Sequence, residues 1–87
     1  MAVFYPDSPD DMKRFVELNC NPSTHIVITD ADEADYIIVA PVVTSQHRHY
    51  VVVEPGSWDP EKVNTMVKWL RDKGYRIVHG RFELRAC

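Results

Sequence analysis

Hydrophobic residues along the chain fall into short runs, and their spacing separates strands from helices. Five runs are rich in β-branched or aromatic residues and stop at proline, glycine or acidic turns, as strands do. They cover residues 2–5, 25–29, 36–40, 50–53 and 75–78. Runs without polar alternation are typical of strands buried on both faces of a parallel or mixed sheet. Between the third and fourth strands, the pattern places His47 and His49 in a polar, solvated loop.

Two further segments carry helix start signals and apolar residues at helical spacing. The first begins with Ser8 as its cap and Pro9 in its first turn, and it ends at a polar cluster before the second strand. The second begins with Asp59 and Pro60 and ends before Gly74. Both segments therefore predict amphipathic helices.

The order of these elements is β-α-β-β-β-α-β, and a further segment, Arg81 to Arg85, alternates with period two as an edge strand would. This order predicts a small single α/β domain over residues 1–87, with a mixed or parallel sheet and two main helices. Residues 80–87 are then a possible edge strand or a mobile tail. Because two helices are few for a sheet covered on both faces, we expect one face to be thinly covered or used for assembly.

Length and composition exclude several classes of protein. With 87 residues, of which 45% are hydrophobic and 26% charged, the chain fits a globular domain and not a disordered segment. Its apolar runs are too short for a transmembrane helix and no secretory leader opens the sequence, so we expect a soluble, cytoplasmic protein. Cys20 and Cys87 show no metal or disulfide spacing and are predicted to be free thiols.

Charge divides the chain into an acidic and a basic half. Residues 1–44 carry eight acidic and two basic side chains, whereas residues 45–87 carry five acidic and eight basic ones. The net charge of −3 argues against general nucleic-acid binding, although the basic half keeps a nucleic-acid accessory role as a weaker alternative. A basic surface attracts acidic partners.

Acidic residues follow the first two predicted strands. Asp7 comes after the first strand, and Asp30 and Asp32 come after the second. If these strands are parallel neighbours, the three carboxylates converge at one edge of the sheet, where they could bind Mg²⁺. Residues 26–32 also resemble the strand and DxD element of Toprim domains, which implies a magnesium-dependent phosphotransfer or phosphodiester-cleaving activity. Local capping and solvation of turns explain the same acidic residues without a metal.

A binding surface is the favoured prediction for function. The chain has no GxSxG elbow, GxGxxG loop or Walker motif, and a domain without a recognisable catalytic set is more often a binding module than an enzyme. An edge strand also offers backbone groups to a partner strand. We therefore predict a protein-binding regulator, inhibitor or adaptor, with a homodimer as one form and without a cofactor. The residues expected to contact the partner are Trp58, Arg76, Arg81, Phe82 and Arg85.

Overall fold

The computed structural model of this chain describes residues 2–30, 35–42 and 49–80. Strands and helices follow each other there in the predicted order. The elements are β1 (Ala2–Phe4), α1 (Pro9–Asn19), β2 (His25–Thr29), β3 (Ile37–Pro41), β4 (His49–Val53), α2 (Pro60–Asp72) and β5 (Arg76–His79). The predicted α/β class is confirmed, and the bounds of the elements agree closely with the sequence pattern. The possible sixth strand at 81–85 lies outside the described residues.

Both helices begin at the predicted caps. The Ser8 hydroxyl oxygen accepts a hydrogen bond from the backbone N–H of Asp11, and the Asp59 carboxylate accepts one from the N–H of Glu61, each at 3.3 Å. These bonds satisfy N–H groups that have no partner inside the first helical turn. After α2 the chain turns at Gly74, whose φ of 98° lies in the left-handed region that favours glycine.

The five strands form one mixed sheet in the order β1-β4-β3-β2-β5. β3 is antiparallel to its neighbours β2 and β4, while β1 is parallel to β4 and β5 is parallel to β2. The connections through α1 and α2 each pass over two strands, and both run in the same direction across the sheet. Two crossovers of the same hand therefore place both helices on one face.

The two faces of the sheet carry separate apolar clusters. The larger cluster joins helix residues such as Met12 and Leu70 to strand residues such as Val27 and Val51. The smaller cluster has four buried members, Ile28, Ile38, Ala40 and Val52. Within the described residues, no helical side chain joins this second cluster, and we call its side of the sheet the helix-free face. The helices thus cover one face, in line with the expectation from their number.

Candidate interaction surface

Trp58 lies in the core and not on the surface. Its side chain is 9% exposed and belongs to the larger apolar cluster, together with Val63. These two residues flank the Asp59 cap at the positions of a hydrophobic staple, which fixes the angle at which the chain enters a helix. The indole is therefore engaged in packing, and it is not part of the surface described below.

Asp7 and Asp30 lie at the same end of the sheet, where β1 and β2 finish, but they are far apart along it. They follow β1 and β2, and β4 and β3 lie between these two strands. Three inter-strand spacings of about 4.8 Å separate the two strand ends by roughly 14 Å, whereas Mg²⁺ binds its ligands at about 2.1 Å. The assumption that the first two strands are neighbours is therefore wrong, and with it the expected convergence of these two carboxylates. Asp32 lies outside the described residues.

Two titratable side chains near α1 and α2, Cys20 and Tyr75, serve packing. Cys20 is a free thiol, as predicted, and burial raises its pKa to about 11, which disfavours the reactive thiolate. Burial also raises the pKa of Tyr75 to about 12. Across residues 2–30, 35–42 and 49–80, no three histidine, cysteine, aspartate or glutamate side chains lie close enough together to hold a metal ion.

β5 forms one edge of the described sheet. It pairs with β2, and no other described strand pairs with it. The Gly80 N–H donates to the carbonyl oxygen of Thr29 at 3.0 Å, which sets the alternation of backbone groups along β5. Because the groups of successive strand residues point to opposite sides, the N–H and C=O groups of Ile77 and His79 point away from β2. We call these outward groups and the side chains of residues 76–79 the β5 edge.

The β5 edge borders the helix-free face. Val78 packs against the smaller cluster, so alternation along the strand places Arg76 on the same face. Arg76 is in register with Ile26 of β2, and Val78 is in register with Ile28. An exposed cation and an aliphatic side chain therefore lie side by side along the edge, next to an apolar surface.

Two strongly exposed apolar residues lie elsewhere on the helix-free face, away from β5. Tyr5 and Val42 follow β1 and β3 at positions that continue the alternation onto the helix-free face. They are 55% and 58% exposed. The N–H of Val42 donates to the Thr24 carbonyl oxygen at 2.8 Å, which extends the β2–β3 pairing by one step. Exposed apolar and tyrosine side chains beside charged residues are typical of protein contact surfaces.

Basic side chains gather where α2 leads into β5. Arg71, Lys73 and Arg76 are all exposed. The Lys73 ammonium group forms an ion pair with the Glu17 carboxylate at 3.4 Å and lies 5.1 Å from the centre of the Trp69 ring. Within the described residues, Arg71 and Arg76 form no ion pair. Their positive charge is therefore directed to solvent or to a partner of negative charge.

Arg76 is thus the one member of the predicted partner-binding set that the described residues place on the surface. Arg81, Phe82 and Arg85 lie outside them. Sequence reasoning did not single out Tyr5 or Val42, because the face on which a strand residue lies depends on strand order and register. The alternation of side chains along the strands was the only local feature of the sequence that indicated on which face these two residues lie.

Comparisons with protein-family models, with curated proteins and with solved structures find no match to this chain. Among the described residues, neither helix is long and apolar enough to cross a membrane. Function is therefore inferred from the geometry of the described residues.

Proposed function

We propose that this protein acts by binding another protein and that the partner adds an extended segment to the β5 edge. The outward-pointing backbone groups of Ile77 and His79 are the observation that carries this proposal. In recognition by strand addition, main-chain hydrogen bonds supply affinity and the alternating side chains supply specificity. A regulator, an inhibitor or an adaptor could each act through such a contact.

Arg76 and Val78 specify the chemistry of the partner segment. Both face the helix-free side of the sheet, and residues directly opposite them on an added strand would face the same side. An acidic residue opposite Arg76 would gain roughly 0.2–1 kcal/mol from the cross-strand pair. An apolar residue two positions away would pack against Val78. The expected partner therefore presents an acidic and an apolar side chain at alternate positions of an extended segment.

A second copy of the chain is the other occupant to test. Two β5 strands could pair antiparallel around a twofold axis, because the outward groups at position 77 in one copy would meet those at 79 in the other. Multi-angle light scattering at increasing protein concentration separates the two cases. A mass near twice 10.1 kDa that Arg76→Glu lowers would favour the homodimer through β5, and a constant mass near 10.1 kDa would exclude a second copy as the occupant.

Capture of the partner from a cell lysate tests the proposal. The immobilised protein is the bait, and Arg76→Glu replaces attraction by repulsion at the first residue of the β5 edge. We expect at least a tenfold loss of the captured partner, which corresponds to about 1.4 kcal/mol. Arg14→Glu is the matched control, because it makes the same charge change at an exposed position of α1. Equal capture by the two variants would contradict the proposal.

The C-terminal residues predicted from the sequence extend this test. Arg81→Glu and Arg85→Glu are expected to weaken complex formation while leaving the circular dichroism spectrum unchanged. Phe82→Ala is expected to weaken it as well. Full binding by all three variants would restrict the surface to the described part of β5.

A further inference from the structure

Two histidines lie close together at one end of the sheet, on the face that the helices cover. His25 begins β2 and His49 begins β4, and β3 lies between them with Pro41 opposite His25. Alternation with Val27 and Val51 of the larger cluster places both rings under the helices. The sequence predicted His49 to lie in a solvated loop; the structure instead makes it the first residue of a strand. Its ring packs edge-on against Phe15 of α1, with ring centres 5.9 Å apart.

Each ring buries a nitrogen atom that has no hydrogen-bond partner in the part of the chain that the structure describes. His25 is 6% exposed, and its Nδ1 atom lies 2.8 Å from the Thr24 hydroxyl and accepts from the Asn21 N–H at 3.4 Å. Its Nε2 atom is buried without a partner, and so is Nδ1 of His49. A neutral imidazole has one N–H donor, whereas the protonated ring has two. Protonation would therefore add a charge and a second N–H donor to a buried ring that already has one nitrogen without a partner. This raises the free energy of the folded state.

Within residues 2–30, 35–42 and 49–80, no charged group of opposite sign compensates this cost. The elements around the pair contribute the Phe15 ring from α1, the Asn21 amide and Thr24 hydroxyl from the turn before β2, and Pro41 from β3. Burial lowers the pKa of His25 below its ordinary 6.5, and charge on His49 lowers it further, while hydrogen bonding to the backbone of Asn21 and of His49 offsets part of this shift. Within the described residues, His49 is the one titratable side chain that acts on His25 in this way.

We propose that His25 and His49 form an acid-sensitive joint, at which uptake of a proton opens the end of the sheet where β2 and β4 begin. A protonated His25 ring is more stable when it reaches water than when it is buried under the helices. Movement of His49 would disturb the pairing of β4 with β1, since Ala2 is opposite His49 and Val3 is opposite Tyr50. Mild acid would thus loosen β1, the shorter edge of the described sheet, before the rest of the domain.

The direction of the pH effect follows from proton linkage. In the closed sheet His25 holds its proton less tightly than in an opened state, where its pKa returns toward 6.5. The open state therefore binds more protons below about pH 6.5. The population of the open state stays constant above about pH 6.5 and rises as the pH falls below that value. Uptake of one proton raises the ratio of open to closed sheet by up to about tenfold per pH unit.

NMR of the intact protein between about pH 7.5 and about pH 5 tests this inference. Carbon chemical shifts of the imidazole rings report protonation directly, and we expect the His25 ring to titrate below its ordinary pKa of 6.5. Amide exchange, corrected for its intrinsic pH dependence, should speed up by up to about fivefold at Phe4 and Val52, whose N–H groups lie between β1 and β4, for a fall of one pH unit below 6.5. The exchange rates of the α2 amides should not rise with those of β1 and β4.

Two variants distinguish the effect of protonating His25 from general effects of acid on the fold. His25→Leu should remove the pH dependence of exchange at Phe4 and Val52, whereas His79→Gln, at an exposed position of β5, should keep it. Titration of the His25 ring at or above pH 6.5 in the folded wild-type protein would overturn the inference, and this result does not require that the Leu variant folds. Unchanged pH dependence in a folded His25→Leu variant would overturn it as well. Neither outcome bears on partner binding at β5.

Discussion

The hydroxyl group of Tyr36 donates a hydrogen bond to the carbonyl oxygen of Gly80, which lies 44 positions further along the chain. Tyr36 precedes β3 and packs on the helix-free face, and Gly80 directly follows β5. Because β2 lies between β3 and β5, this side chain spans a whole strand. The end of β5 is therefore tied to the centre of the sheet by a side chain as well as by the strand ladder.

Replacing Tyr36 by phenylalanine should loosen the end of β5. The variant removes the hydroxyl group and keeps the ring, and we expect a loss of about 1 kcal/mol in the free energy of unfolding. Urea denaturation measures this loss, and amide exchange of Gly80 should accelerate. Tyr5→Phe is the control, because that ring is exposed and its hydroxyl makes no hydrogen bond within the described residues. Equal stability of the two variants would show that the Tyr36–Gly80 bond adds nothing.

The larger cluster should dominate the stability of the fold. Leu70 of α2 is fully buried there, and Leu70→Ala is expected to cost about 2–5 kcal/mol through lost burial and the cavity left behind. Leu18→Ala makes the same chemical change at a position of α1 that is 77% exposed, and it should stay within about 0.5 kcal/mol of the wild type. Thermal unfolding followed by circular dichroism compares the two. Similar costs at both positions would place Leu18 in a contact that the described residues do not contain.

The cap of α1 should contribute a measurable part of that stability. Ser8→Ala leaves the N–H of Asp11 without its acceptor, and we expect a loss of about 1 kcal/mol. Ser57→Ala provides the comparison at an exposed turn position, with an expected change below about 0.5 kcal/mol. Chemical denaturation of both variants measures the difference. If Ser8→Ala left the free energy of unfolding unchanged, water would be replacing the Ser8 hydroxyl as acceptor for the Asp11 N–H.

Cys20 should react slowly while the protein is folded. In a Cys87→Ser background, alkylation at pH 8 reports Cys20 alone. A pKa of about 11 in place of the ordinary 9.0 lowers the thiolate fraction about a hundredfold, so the rate should fall by a similar factor relative to the unfolded chain. The rate should then rise about tenfold per pH unit as the pH increases toward 11. A folded protein that reacts as fast as the unfolded one would contradict the burial of this thiol.

Local features of this fold could be predicted from the sequence. Ser8 and Asp59 act as caps in the structure because capping depends on residues within one helical turn. The strands at 25–29 and 50–53 were recognisable by their unbroken β-branched runs. The presence of two helices was enough to expect unequal cover on the two faces of the sheet.

Features that depend on strand order could not be predicted in this way. Asp7 and Asp30 both follow strands, but nothing near either residue indicates that two other strands separate them. His49 reads as a polar residue in a polar stretch, yet the register of β4 with β1 makes it part of the sheet. Trp58 was expected at the surface because a large aromatic residue before a helix can either pack in a hydrophobic staple or insert into a partner. Its neighbours in sequence do not distinguish these two roles. Pairing between distant segments decides each of these cases.

Hydrogen exchange along β5 tests the central claim most directly. In the free protein, the amides of Ile77 and His79 should exchange fast, whereas those of Val78 and Gly80, which point toward β2, should be protected. Addition of the captured partner should protect Ile77 and His79 and leave α1 unchanged. Protection of all four amides in the free protein, or no change at Ile77 and His79 on saturation with the partner, would contradict binding at the β5 edge.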